Sequence, residues 1–198
     1  MSRLPRTLAA LMLGAALLAA CSKPAPVAHS YPDWNFAVSV PGTVKETPTK
    51  ANGQQPASFL VTSSVDGHDY AVNVIDASSA TVSPDQLLSS APQAVASSME
   101  VDLGTTTYVA ASGVTGREVL FTKDDKPAMI DRFFVAGGKL YEVSATVPAG
   151  ATDPAAKAFL DSFHLITPPP PAAPVPAADD TNAASNDATN TAAANTPG

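Results

Sequence analysis

The feature that most constrains the fold of this chain is a tight-turn signal placed between two runs of alternating apolar residues. Asp66-Gly67 separates the runs, and this dipeptide favours the two-residue turn of an antiparallel hairpin. Pairing across the turn sets Phe59 opposite Val74 and, by the same register, Val61 opposite Val72. The apolar side chains then share one face, so the sequence predicts a hairpin with one buried side.

A second hairpin is predicted at Gly137-Gly138, which is again a tight-turn signal. Pairing across it sets Phe134 opposite Tyr141 and, by the same register, Arg132 opposite Val143. The strand before this hairpin is expected to add two side chains to the same face, Val119 and Phe121. Charged Arg132 therefore falls on an apolar face, where it needs a partner.

Two segments have the signals of helices. Ser83-Pro84-Asp85-Gln86 combines a capping serine, a proline for the first turn and the glutamine of a capping box. Apolar residues then recur at helical spacing: Leu87, Leu88, Ala91, Val95 and Met99. Pro92 is expected to kink this helix or to divide it. The second helix begins at Asp153-Pro154, and its predicted buried stripe is Phe159, Leu160 and Phe163.

The order of these elements predicts an α+β fold. A first strand carries Phe36, Val38 and Val40 and ends at Pro41-Gly42. Further strands are expected near 105–111, 117–123, 128–135 and 139–147. The order is β-β-β-α-β-β-β-β-α, which indicates a largely antiparallel sheet covered by two helices.

Three segments resemble the Mog1/PsbP-like superfamily over residues 31–167. They are the turn Gly113-Val114-Thr115-Gly116-Arg117-Glu118, the run from Arg132-Phe133-Phe134 into Gly137-Gly138-Lys139-Leu140-Tyr141, and the ending Phe159-Leu160-Asp161-Ser162-Phe163. That superfamily includes PsbP of photosystem II, a Ran-binding protein, DcrB-type envelope lipoproteins and mycobacterial cell-wall lipoproteins. The shared residues form no catalytic set, so the resemblance implies a binding or assembly module.

The N-terminus reads as an export signal over residues 1–20. Arg3 and Arg6 precede an apolar run over 8–20, which is too short for a membrane span of about 20 residues. Leu18-Ala19-Ala20-Cys21 resembles the bacterial lipobox. That resemblance implies cleavage after Ala20, lipid on Cys21 and, with Ser22 next, the periplasmic face of the outer membrane rather than the inner membrane. An ordinary secretory signal, cut after Ser22, remains the alternative.

Composition divides the mature chain into three parts: a lipidated tether at 21–30, the folded domain at 31–167 and a tail at 168–198. The tail has no Leu, Ile, Phe, Tyr or Trp, so disorder is expected because it can bury little apolar surface. Its prolines also suit an extended spacer or a proline-rich ligand.

Charge argues against one class of partner. The 31–167 domain has 8 Lys and Arg residues against 15 Asp and Glu residues, and an acidic surface repels nucleic-acid phosphates. The expected membrane contact is the lipid anchor itself, because the domain lacks a basic face for anionic headgroups.

The sequence offers little for catalysis or for a cofactor. Cys21 is the only cysteine, and His29, His68 and His164 have no metal-ligand spacing. No Gly-x-Ser-x-Gly elbow occurs. Asp124-Asp125 reads as a polar loop, and Gly137-Gly138-Lys139 as a hairpin turn rather than a phosphate loop. We therefore expect no cofactor, no metal and no enzymatic activity.

One cluster stands out as a candidate site: Arg132 and Arg117, predicted on one face with Tyr141 beside them. Such a cluster suits an anion or carboxylate ligand. It also suits a structural ion pair, for which the expected partner is Asp161 or a carboxylate near Glu100 and Asp102.

The sequence thus predicts a lipid-anchored, non-catalytic binding module whose partner is an envelope protein or the cell wall. An envelope hydrolase with an unrecognised site and a small-molecule carrier remain the alternatives, and the oligomeric state is open.

Overall fold

The structure is a computed structural model that describes residues 25–167. The predicted signal, the lipidation site Cys21 and the tail at 168–198 lie outside the described residues. The elements are β1 (Val27–Tyr31), a short 3-10 helix (Pro32–Trp34), β2 (Phe36–Val40), β3 (Lys45–Thr49), β4 (Ser58–Val65), β5 (His68–Asp76), α1 (Pro84–Met99), β6 (Asp102–Ala111), β7 (Val114–Lys123), β8 (Lys126–Ala136), β9 (Lys139–Thr146), α2 (Pro154–Ser162) and β10 (His164–Leu165).

The strands form two antiparallel sheets, so the predicted α+β class is confirmed. The larger sheet has seven strands in the order β3-β4-β5-β9-β8-β7-β6, and the smaller has three in the order β1-β2-β10. Every pairing is antiparallel.

Both hairpins predicted from tight turns are confirmed with their registers. Phe59 lies opposite Val74 across Asp66-Gly67, and Phe134 lies opposite Tyr141 across Gly137-Gly138. The residues of both turns have positive φ angles, a backbone conformation that Gly and Asp tolerate better than most residues. Asp124-Asp125 forms a third turn of this kind, as its reading as a polar loop implied.

The predicted faces of β7 are wrong because β8 contains a bulge. Near the turn Thr122 pairs with Pro127, but the next pair is Phe121 with Met129, which leaves Ala128 as an extra residue. One extra residue moves every later side chain to the other face. Val119 therefore lies opposite Asp131 instead of sharing the face of Phe134.

Each face of the large sheet is consequently covered by a different helix. Val119, Phe121 and two β8 residues pack under α1, whose contributing side chains are Leu88, Ala91, Val95 and Ala96. The opposite face carries the larger core, in which α2 and the small sheet cover β5 and β9. Its large buried members include Phe36, Val72, Phe134, Tyr141, Phe159 and Phe163.

The helix predictions hold in their main points. Ser83 and Gln86 form the predicted capping box, and α1 continues past Pro92 without division. Asp153 caps α2, and all three residues of the predicted buried stripe are buried.

Three strands were not predicted: β1, β3 and β10. β1 pairs with β2 from Val27 onward, so the fold begins inside the segment predicted to be a tether over 21–30. β3 is exposed throughout and β10 has only two residues, so neither has the apolar alternation by which a strand is recognised.

Candidate functional site

Arg132 lies in a network of charged side chains between the large sheet and α2. Its Nε donates to Oε2 of Glu118 at 2.7 Å, and its Nη2 lies 2.8 Å from Oδ1 of Asp161. Lys157 Nζ donates to the other oxygen of Asp161 at 2.9 Å. The Arg132 side chain is only 13% exposed, whereas that of Asp161 is 47% exposed.

The geometry of this network keeps Asp161 charged. Burial acts to raise the pKa of Asp161, but the hydrogen bonds from Lys157 and Arg132 outweigh it and hold that pKa below its ordinary value. The guanidinium of Arg132 is thus bound by two carboxylates, those of Glu118 and Asp161, as in a structural ion pair.

The three residues predicted to form one cluster do not come together. Arg117 pairs with Phe133 and therefore lies on the face opposite to Arg132. Its guanidinium lies over the ring of Tyr108, 5.9 Å from the centroid. Tyr141 is on the face of Arg132, but it is fully buried and its hydroxyl donates to the backbone oxygen of Trp34 at 3.2 Å. The expectation of a shared Arg132–Arg117–Tyr141 face is wrong for Arg117.

A second polar pair joins His68 to the start of α2. Nε2 of His68 lies 2.8 Å from Oδ2 of Asp153, and both residues are buried. The same carboxylate caps α2 by accepting from the backbone amides of Ala155 and Ala156 at 2.9 and 3.3 Å. It also accepts from the amide of Ala149 at 3.3 Å.

These donors explain the charge state of Asp153. Burial acts to raise its pKa, but the hydrogen bonds from His68 and the backbone amides lower it below the ordinary value. The ionised carboxylate therefore fixes the proton of His68 on Nε2.

A small apolar cleft of about 190 Å³ lies beside this pair. Its lining residues lie just before β1, near the end of β2, on β4 and β5 and on α2; they include Pro26, Pro41, Val65, Tyr70, Ala158 and Phe159. His68 and Asp66 stand at its polar side. An apolar cavity of about 150 Å³ is large enough for one benzene ring, so the cleft matches a small apolar group.

Asp131 is a titratable residue that the sequence reasoning missed. It lies under α1 with no exposed surface, and neither carboxylate oxygen has a hydrogen-bond partner among residues 25–167. Burial raises its pKa to about 8, a nearby Ser144 hydroxyl lowers it, and neighbouring Glu142 raises it. Its position between Met129 and Phe133 in a strand apolar on both faces was the available signal.

Glu142 is the nearest acidic neighbour of Asp131 and is itself only partly exposed. Burial raises the pKa of Glu142, although the amide of Asn73, which donates to Oε2 at 3.2 Å, acts to lower it. Burial thus disfavours the charged form of both carboxyl groups.

The described residues contain no arrangement suited to a metal. Between residues 25 and 167, no group of three or more His, Cys, Asp or Glu side chains could hold a metal ion. His29 lies in β1 and His164 in β10, far apart in the chain from His68. In the same part of the chain no helix has the length and apolar character needed to cross a bilayer.

Comparison with known proteins finds likeness in structure but not in sequence. No protein-family model matches the sequence, and no curated protein matches it. The solution structure of cyanobacterial PsbP (CyanoP) from Synechocystis sp. PCC 6803 is similar with a TM-score of 0.50 at 8% identity. The match covers 74% of this chain and 95% of CyanoP.

A crystal structure of PA94, a protein of unknown function from Pseudomonas aeruginosa, is a more distant match. Its TM-score is 0.33 at 10% identity, over 63% of this chain and 85% of PA94. Only the likeness to CyanoP therefore supports a conclusion, and at 8% identity it concerns the architecture alone. The chain has a PsbP-like fold.

Proposed function

We propose that this chain is a lipid-anchored protein of the cell envelope whose α+β domain binds a partner and catalyses no reaction. The lipobox at Cys21 supports the anchor, and Ser22 after it supports the periplasmic face of the outer membrane. The PsbP-like fold is compatible with an assembly or binding role, although a fold alone selects no partner. The partner we propose is an envelope protein or the cell wall.

The observation that supports a domain without catalytic activity is that the guanidinium of Arg132 is already bound within the fold. This residue is the strongest sequence candidate for an anion site, yet Glu118 and Asp161 hold its guanidinium at 2.7 and 2.8 Å. His68 is likewise held by Asp153, which four donors already satisfy. These groups stabilise the contact of sheet and helix, and a substrate would have to displace charged partners to use them.

The anchor is tested with a fatty-acid analogue in living cells. Cys21→Ser should abolish the labelling and release the protein from the membrane fraction, because the thioether carries the lipid. Ser22→Ala, the matched control, should retain the label. Labelling of the Cys21→Ser protein, or its retention in the membrane, would contradict the anchor.

Partner binding is tested by chemical cross-linking of the full chain in intact envelopes, followed by mass spectrometry. A specific adduct with an envelope protein or a peptidoglycan fragment is expected. Recovery of the uncross-linked chain alone, at reagent levels that cross-link known envelope complexes, would contradict the binding module.

A second candidate function, a small-molecule carrier, is favoured by the cleft beside His68. An environment-sensitive naphthalene dye should then bind the full chain. Ala158→Arg would fill the mouth of the cleft and should remove the dye, whereas Ala94→Arg, at an exposed position of α1, should not. Equal binding by both variants would exclude this cleft as the carrier site.

A further inference from the structure

We propose that the outer edge of β6, from Thr106 to Ala111, takes up an extended segment of another protein as an eighth strand, with a carboxylate of that segment bound by Arg117. The inference rests on the proposed binding function and names the kind of partner. In this mode backbone hydrogen bonds supply affinity and a few side chains supply selectivity.

The two edges of the large sheet differ in how they are protected. β3 forms one edge and β6 the other. β3 carries Lys45, Glu46 and Pro48 within five residues, and charges and proline are the usual means of preventing a further strand from pairing. The segment from Thr106 to Ala111 has no charge and no proline, so its backbone is open to a partner strand.

A bulge limits the open edge to this segment. The pairing of β6 with β7 is irregular between Leu103 and Thr106, and regular from Thr106 to Ala111. Six residues of regular strand span about 20 Å. Among the described strands only β7 pairs with β6, and most of the segment is exposed to solvent. An edge of this length accommodates a typical short strand.

An aromatic side chain and a cation mark the middle of the edge. Tyr108 is 77% exposed, the largest value among the exposed large apolar side chains of the described residues. The guanidinium of Arg117, from the neighbouring strand, lies 5.9 Å from the centre of its ring. Arg117 therefore extends over β6 toward the open edge, and a cation in this position retains its hydrogen-bond donors for a ligand.

The charge of Arg117 calls for a carboxylate on the partner. Arg117 makes no ion pair with any residue between 25 and 167, although the domain has nearly twice as many acidic as basic residues. The nearest carboxylate along the strand, Glu118, points to the other face and is bound by Arg132. An Asp or Glu opposite Tyr108 on the incoming strand would reach the free guanidinium, and such contacts can be bidentate.

The same charge argues against a second copy of this chain as the occupant. Antiparallel pairing of two β6 strands centred on Tyr108 would bring the two Arg117 side chains toward each other across the new seam. Like charges at such close range are unfavourable.

The test places a photo-cross-linking amino acid at Tyr108 of the full chain in intact envelopes. Thr47 of the protected edge β3 is the matched control position. We expect an adduct from position 108 and about fivefold less or none from position 47, because an added strand lies in direct contact with one edge alone. Tandem mass spectrometry then identifies the cross-linked segment, which should be extended and carry an Asp or Glu near its centre, opposite Tyr108.

A peptide copy of that segment is then tested on the purified chain. Arg117→Glu should weaken its binding about tenfold or more, whereas Lys123→Glu, the same reversal at the exposed far end of β7, should change it by about twofold or less. Thermal unfolding shows whether each variant is folded, and Arg117→Gln replaces Arg117→Glu if the latter is not. Binding should also protect the amides of residues 106–111 from hydrogen exchange.

Each other outcome overturns the inference. These outcomes are equal adducts from both edges, an adduct with a second copy or with residues 168–198 of the same chain, and unchanged peptide binding in the Arg117 variants. If chemical cross-linking in the envelope still finds a partner, the binding module stands and only its docking at β6 is wrong. If it finds none, the proposed function itself fails.

Discussion

Arg132 and Asp161 join the large sheet to the last helix, with Nη2 and Oδ1 2.8 Å apart. Arg132 is on β8 and Asp161 is one residue from the end of α2. Asp161 is thereby tied both to the sheet and, through Lys157, to its own helix. The contact fixes α2 over the core that Phe159 and Phe163 complete.

Replacing Arg132 should destabilise the fold moderately. Arg132→Met removes both contacts of the guanidinium, which leaves Glu118 without its cation and Asp161 with Lys157 alone. Because Asp161 is about half exposed and can be hydrated, we expect a loss of about 1–3 kcal/mol in the free energy of unfolding rather than the 3–5 kcal/mol of a fully buried pair. Urea unfolding of the purified protein measures it.

Asp161→Asn is the matched control for that experiment. Glu118 still holds the guanidinium in this variant, so the loss should stay below about 1 kcal/mol. A fully stable Arg132→Met protein would show that the network contributes nothing to the fold, and would reopen Arg132 as a ligand site.

The hairpins could be predicted from the sequence because turn and alternation agree locally. Asp66-Gly67 and Gly137-Gly138 fix their own registers, and the structure has both. The faces of β7 could not be predicted in this way, because they depend on one extra residue, Ala128, that leaves no mark in the apolar pattern.

Contacts between distant parts of the chain could not be predicted from the sequence either. His68 and Asp153 are 85 residues apart, and each was recognised only for its local place, after a turn and at a helix start. Asp131 could not be recognised from the sequence because an acidic residue in a strand normally indicates the solvent face, whereas here α1 covers the face on which Asp131 lies.

Gly116 should not tolerate a side chain. A Cβ atom there would collide with the backbone oxygen of Phe133 and the ring of Phe134. Both are buried and cannot move apart cheaply, so Gly116→Ala should lower the free energy of unfolding by about 2–4 kcal/mol. Gly53→Ala is the control, since nothing lies within 4 Å of its Cβ position. Equal melting temperatures of the two variants would contradict the close approach of β7 and β8.

Asp153 should stabilise the protein more than an ordinary helix cap does. Ser83→Ala, which removes the exposed cap of α1, should cost about 1 kcal/mol. Asp153→Ala removes the cap of α2 and also leaves buried His68 without its acceptor, so we expect about 2–4 kcal/mol. Guanidinium unfolding at neutral pH compares the two. Equal losses would mean that the His68 contact is worth nothing.

The pH dependence of the Asp153 effect follows from its lowered pKa. A carboxyl group with a folded pKa below the unfolded value contributes stability above the unfolded value, and that stability is lost as the pH falls through the folded pKa. The difference between Asp153→Ala and the unaltered protein should therefore be largest near neutral pH and shrink below about pH 4.

Asp131 should have the opposite effect, because burial raises its pKa to about 8. The folded protein keeps this proton while the unfolded chain releases it near pH 4, so the folded state binds more protons between these values. Stability should accordingly fall as the pH rises from 4 to 8, and change little from this group above pH 8.

Asp131→Asn has no proton to lose. It should be more stable than the unaltered protein by several kcal/mol at pH 7 and by much less at pH 4. Asp69→Asn, at an exposed position of β5, should leave the profile unchanged. Urea unfolding across this range decides the matter, and parallel profiles for Asp131→Asn and the unaltered protein would show that Asp131 is ionised in the fold.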